Sequence, residues 1–231
     1  MTQGLDMAAV IVPLLLSLKV AFWATCISGL LGIVVGLYLA RSRCWLRNVL
    51  DTVLTLPMVL PPTVMGYYLL VLLGSKGWLG AWLKDSLGIS LIFSWQGAVV
   101  AAAVVSFPLV FKPARAAFES VDPQLEQAGR VLGVSEWGIV LRISLPLAWR
   151  GIMAGMVLGF VRALGEFGAT LMIAGSIPGK TQTLSIAIYE AVQAGRDGTA
   201  TLLALVISSV CVGMLLLATS ITPKRQEARG A

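Results

Sequence analysis

Five stretches of this 231-residue chain run for about 20 residues or more with almost no charge, and nothing else in the sequence constrains the fold as strongly. Residues 20–40 lie between Lys19 and Arg41, 52–75 between Asp51 and Lys76, 86–111 between Asp85 and Lys112, and 198–223 between Asp197 and Lys224. A fifth window, 151–179, is interrupted only by Arg162 and Glu166. Only 12% of the residues are charged, against about 25% in soluble domains. So few charges cannot cover a water-exposed surface, and the mean hydropathy of +0.89 points to lipid as the solvent. Unpaired backbone groups are costly in lipid, so each window is expected to be helical. The expected fold is an all-α polytopic membrane domain, with spans at roughly 14–40, 50–73, 89–111, 150–175 and 199–221.

The basic residues sort by loop. Arg41, Arg43 and Arg47 share one loop, Lys112, Arg115, Arg130, Arg142 and Arg150 another, and Lys224, Arg225 and Arg229 the tail. The alternate loops hold only Lys76, Lys84, Lys180 and Arg196, so the bias is eleven against four. The positive-inside rule then puts the N-terminus outside and the C-terminus in the cytoplasm. The +6 formal charge is therefore topological and gives no support to a nucleic-acid partner.

Other chemistry is narrowed by what is missing. Histidine is absent, which removes His general bases and His-ligated metal sites. Cys26, Cys44 and Cys211 form no CxxC pair, so neither a zinc site nor a disulfide framework is expected. Residues 175–181 superficially resemble a phosphate loop, but three residues rather than four separate Gly175 from Gly179, so no ATP site is expected. At the N-terminus, Asp6 and the lack of a basic region argue against a signal peptide. Residues 7–18 are also uncharged, and Pro13 is expected to break the helix there, leaving the earlier part at the interface or on a partner.

The 112–149 loop is rich in helix punctuation. Asp122-Pro123 reads as an N-cap and first helical residue, Gly133 as a C-terminal stop, and Ser135 as the cap of a second helix ending before Pro146. Trp137 and several leucines on this knob suit burial in a partner better than a solvated connector.

The string QAGRVLGVSEWGIVLRISLP from Gln127 resembles the EAA loop of ABC importer permeases. Ala128, Gly133, Ile143, Leu145 and Pro146 fall at the family's spacing, and Glu126 stands one place before its glutamate position. Gln127 and Gly129 depart from the family pattern. Residues 56–70, 162–170 and 177–193 resemble the matching segments of molybdate ABC permeases, of which sulfate and tungstate permeases are close relatives. The resemblance implies a non-catalytic permease subunit in the bacterial or archaeal cytoplasmic membrane, working by alternating access. It also implies a homodimer, two cytosolic ATPase subunits holding the ATP and Mg, and an extracytoplasmic oxyanion-binding protein. No cofactor is implied in this chain. The ATPase-coupling residues would be Glu126, Gln127, Ala128, Gly129, Gly133, Trp137, Ile143, Leu145 and Pro146. The outer loop 176–198, with Tyr189, is either a contact for the binding protein or a plain connector.

Within the spans, Pro57, Pro61 and Pro62 interrupt the second window, as a structural kink or as a pathway lining, and Gly66 permits close approach of another helix. Gly151, Gly155 and Gly159, like Gly32 and Gly36, form small-residue stripes expected to pack helices. Arg162 and Glu166 are four apart and can pair within an apolar helix, flanking a gate with Gly165 or fixing register. Exchanging both charges should rescue a single change if the pair is merely structural. An intramembrane enzyme lacks a nucleophile–base set here, and a secondary transporter is the remaining rival, although the expected five spans do not divide into repeat halves.

Overall fold

A computed structural model describes residues 7–42 and 45–221, so Asp6, Arg43, Cys44, Lys224, Arg225 and Arg229 lie outside the described residues. The described chain is helical, with no strand. In order it forms α1 (Met7–Arg41), α2 (Leu46–Val59), α3 (Pro62–Leu73), α4 (Trp78–Leu87), α5 (Trp95–Glu119), α6 (Pro123–Val131) and α7 (Glu136–Ile139). A π-helical turn (Val140–Ser144) follows, then α8 (Leu145–Leu164), α9 (Gly168–Ala174), α10 (Leu184–Gln193) and α11 (Asp197–Ile221).

By length and composition, four described helices can cross a membrane: Ala9–Arg41, Trp95–Glu119, Glu136–Leu164 and Asp197–Leu217. The number rises to five if α2 and α3, bent by 110°, count as one broken span. Their contacts favour a crossing. Asp51 on α2 pairs with Arg115 near the end of α5, whereas α3 packs along α9, whose Ile173 lies against Gly97 at the start of α5. The bend falls at Leu60-Pro61, and Pro57 stays inside α2.

Helix α5 is the axis of the packing. It runs parallel to α1, with Val20 and Ala24 clustering with Ala98 and Ala102, and with Gly36 against Arg115. A Cβ at Gly36 would lie 3.0 Å from the Arg115 nitrogen. Helix α8 runs antiparallel, and its stripe meets α5 step by step. Gly151 faces Ala117, Gly155 faces Pro113 and Gly159 faces Val110, so the expected packing role holds.

Three local expectations change. Pro13 does not break α1, because Val10 and Leu14 on either side pack against Leu184, Ala187 and Leu203, and this burial outweighs one lost backbone bond. The second knob helix does not end before Pro146. It continues through the π-helical turn into α8, where the wider winding shifts the carbonyl that a proline ring would otherwise strike. Glu166 is not on the same helix as Arg162, since α8 stops at Leu164. The outer loop gains a helix of its own, α10, which folds against α11 and α1, and Ser17 Oγ accepts the Leu184 N–H at 2.7 Å.

Candidate functional site

The knob is built by the signals its sequence carries. Asp122 caps α6 by accepting the Gln124 N–H, and Ser135 caps α7 by accepting the Gly138 N–H. Gly133 turns the chain at φ +77°, a conformation that favours glycine. The two arms then close on each other. A Cβ at Gly129 would lie 3.0 Å from Ile143 Cδ1 and 3.3 Å from Ile139 Cγ1, so the smaller residue at this position fits the contact. Gln127 and Ala128 point outward on the same helix. Leu132 is 80% exposed and Trp137 76%, with Val131 and Leu141 also bare. Large apolar side chains left bare in one cluster mark a surface for a protein partner or for the membrane. Leu145 is half-buried and Pro146 is exposed where the knob joins α8, beside Trp149.

Charge ties the knob to the spans. Arg41 Nη2, on the last residue of α1, donates to Glu126 Oε1 at 2.7 Å and to Ser144 Oγ at 2.9 Å. The Ser144 hydroxyl donates to the same Glu126 oxygen at 2.7 Å, and Arg130 joins Glu126 to Glu136. Burial raises the Glu126 pKa, but the hydrogen bonds from Ser144 and Arg41 and the charges of Arg41 and Arg130 outweigh it, so the net shift is downward. A second cluster joins α2 to α5: Asp51 pairs with Arg115 at 2.6 Å and with Lys112 at 3.6 Å, while Glu119 binds Arg115 and Arg47. Sequence reading counted Arg41 only as a topological charge, and its partner lies 85 residues away.

The candidate gate residues fall into two places. Pro61 and Pro62 are exposed at the bend, and Pro62 Cβ would lie 3.2 Å from a Cβ at Gly168. Gly66 lets α3 press on α9, since a Cβ there would fall 2.8 Å from Ala169 Cα. Arg162 Nη1 pairs with Glu166 Oε2 at 2.7 Å, and Glu166 Oε1 accepts the Ala169 N–H at 2.9 Å, so the carboxylate caps α9. Glu166 is 2% exposed. Pro62, Gly66, Arg162 and Glu166 are thus gathered around α9. Gly165 lines a neighbouring cleft of about 550 Å³ with Phe167, Ser185, Tyr189 and Ser208. Pro57 stands apart, in an apolar cavity of about 430 Å³ between α1, α2 and α5. One contact had no signal in the charge pattern: Lys19, inside an apolar window, places its ammonium 3.7 Å from the centre of the Trp95 ring. Among the described residues no group of three or more His, Cys, Asp or Glu side chains could hold a metal ion.

Helices apolar enough to cross a membrane, joined to an exposed two-armed knob, define a polytopic membrane protein. The chain belongs to the family of binding-protein-dependent transport system inner membrane components, which matches residues 32–227. Within it, the chain is 46% identical over 204 residues to the molybdenum transport system permease protein ModB of Escherichia coli (strain K12), covering 87% of this chain and 89% of that one. The corresponding ModB of Haemophilus influenzae is 43% identical over 203 residues, with 87% and 89% covered. The fold is shared with a bacterial alginate ABC transporter solved in complex with an alginate pentasaccharide-bound periplasmic protein. The TM-score there is 0.72 at 18% identity, covering 94% of this chain and 79% of that chain. Family membership sets aside the secondary-transporter alternative.

Proposed function

We propose that this chain is the membrane-spanning subunit of an ATP-driven importer that carries molybdate inward by alternating access. The observation that carries the proposal is the 46% identity, across 87% of the chain, to a molybdenum transport permease. The chain itself contributes no catalytic site, and ATP and its Mg are held by a partner ATPase. It crosses the membrane five times, the bent α2–α3 pair being one crossing, with the N-terminus outside and the knob in the cytoplasm. Eleven of the basic residues fall on the knob side under that layout.

Two copies pair, two ATPases dock on the knobs, and an extracytoplasmic oxyanion-binding protein delivers the ion from the opposite face. The bare Leu132 and Trp137 support the docking role of the knob. Glu126, Gln127, Ala128, Gly129, Gly133, Ile143, Leu145 and Pro146 build that surface. Pro61, Pro62, Gly66, Arg162, Gly165 and Glu166 surround the gate, and Pro57 shapes the neighbouring cavity. Ion choice rests mostly with the binding protein, so the competing assignments are tungstate and sulfate.

The test is uptake of labelled molybdate in cells lacking other carriers, with each oxyanion as competitor. Molybdate should compete best, and stronger competition by sulfate would overturn the ion assignment. A detergent extract should retain the ATPase, and Trp137→Ala should release it. Retention of the ATPase by Trp137→Ala would overturn the assigned docking surface.

A further inference from the structure

Arg41, Glu126 and Ser144 come from three parts of the chain and close into one triangle. Sequence separations of 85 and 103 residues mean that nothing local holds Arg41 there. Ser144 is 1% exposed and has a single hydroxyl proton. That proton goes to Glu126 at 2.7 Å rather than to the Ile139 carbonyl at 3.4 Å, which leaves the Ser144 oxygen free to accept from Arg41. The carboxylate is held ionised by these partners, so the contact is charge-assisted.

The chain connects the knob covalently only to α5 and α8. Arg41 adds a third attachment, to α1. Helix α1 is unbroken from Met7 to Arg41, and its Gly32 and Gly36 seat it on α5. From Arg41 back to Ser17 it spans about 36 Å at ~1.5 Å per residue. At that far end Ser17 holds the Leu184 N–H at the start of α10.

We propose that the Arg41–Glu126–Ser144 triangle is a latch through which displacement of the knob moves α1, so that α1 carries the ATPase state to α10 on the opposite face. Arg41 and Ser144 are positioning residues, acting on transport through Glu126 and α1. The proposal rests on the importer reading above. It differs from the Arg162–Glu166 pair in a testable way, because the central hydroxyl can donate or accept. With the charges exchanged, a carboxylate at position 41 would take the Ser144 proton and a guanidinium at position 126 would donate to the Ser144 oxygen.

The experiment uses the assembled permease–ATPase complex in proteoliposomes with molybdate and the binding protein, and it reads ATP hydrolysed per ion transported. Arg41→Met should keep the ATPase bound and raise that ratio about fivefold or more, the lower end of measured coupling between sites. The exchange R41E/E126R should bring the ratio only part of the way back, because an arginine at 126 faces Arg130 four residues on. Ser144→Ala removes the bridging hydroxyl but leaves the direct Arg41–Glu126 contact, so it should raise the ratio by less than Arg41→Met. An unchanged ratio in Arg41→Met overturns the latch. A starting complex that retains no ATPase overturns the importer reading itself, and the latch with it.

Discussion

Two arginine–glutamate pairs in this chain have the same 2.7 Å separation and different jobs. Arg162 and Glu166 are neighbours in sequence, the carboxylate is buried, and it also caps α9. Arg41 and Glu126 are distant in sequence, partly exposed at 31% and 17%, and linked by a serine. The first pair is a local strut at a helix break, and loss of Arg162 would leave the buried Glu166 carboxylate without its partner. The second is a tie between elements, and its worth lies in where it holds them. Distance alone therefore says little about what an ion pair does; burial and the other hydrogen bonds of each partner decide it.

The largest effect expected on this contrast is from Glu166→Ala. It strands the Ala169 N–H, at a cost of about 1–3 kcal/mol, and adds the loss of the ion pair with Arg162, which stays 32% exposed. Thermal unfolding in detergent should show the loss, and an unchanged midpoint would break the claim that the pair is a strut. The geometry also alters how a charge exchange is read. An arginine at 166 cannot accept the Ala169 N–H, so R162E/E166R should fail even if the pair is purely structural.

A control on packing comes next. Gly159→Val would put a Cβ 2.4 Å from Val110 Cγ2, and overpacking of this kind costs about 1–3 kcal/mol. Gly159→Ala should fall in the same direction by less. Arg41→Met should cost about 1 kcal/mol or less, as ion pairs with solvent-reachable partners do, while changing coupling strongly. A stability loss as large as that of Glu166→Ala would erase the distinction between tie and strut.

The smallest effect is on pH. Glu126 has a folded pKa below its unfolded value, so it contributes stability that is fully present above about 4.3 and is lost as the pH falls through the lower folded value. An unfolding series from pH 6 to about 3 should show that loss, and Glu126→Gln should flatten it.

The parts of the fold that were legible in sequence are those with local causes. Asp122, Ser135 and Gly133 mark the knob because caps and positive-φ turns depend on residues within a few positions. The glycine stripes were legible because close helix packing needs small residues at fixed spacing. Pro13 misled because the contacts that keep α1 straight come from α10 and α11. Arg41 was misjudged for the same reason, its role being set by Glu126 and Ser144 after folding. The π-helical turn before Pro146 is likewise a product of how the knob meets α8.

The bend at Leu60-Pro61 has a consequence for synthesis. Helices α2 and α3, with 14 and 12 residues, are about 21 and 18 Å long at ~1.5 Å per residue. Neither can cross a hydrocarbon core of about 30 Å alone. Asp51 needs Arg115, and Gly66 needs Ala169, before the pair has a seat. Their seat is thus supplied by α5 and α9, which follow them in the chain, so the bent pair reaches its final contacts only once those later helices are in place.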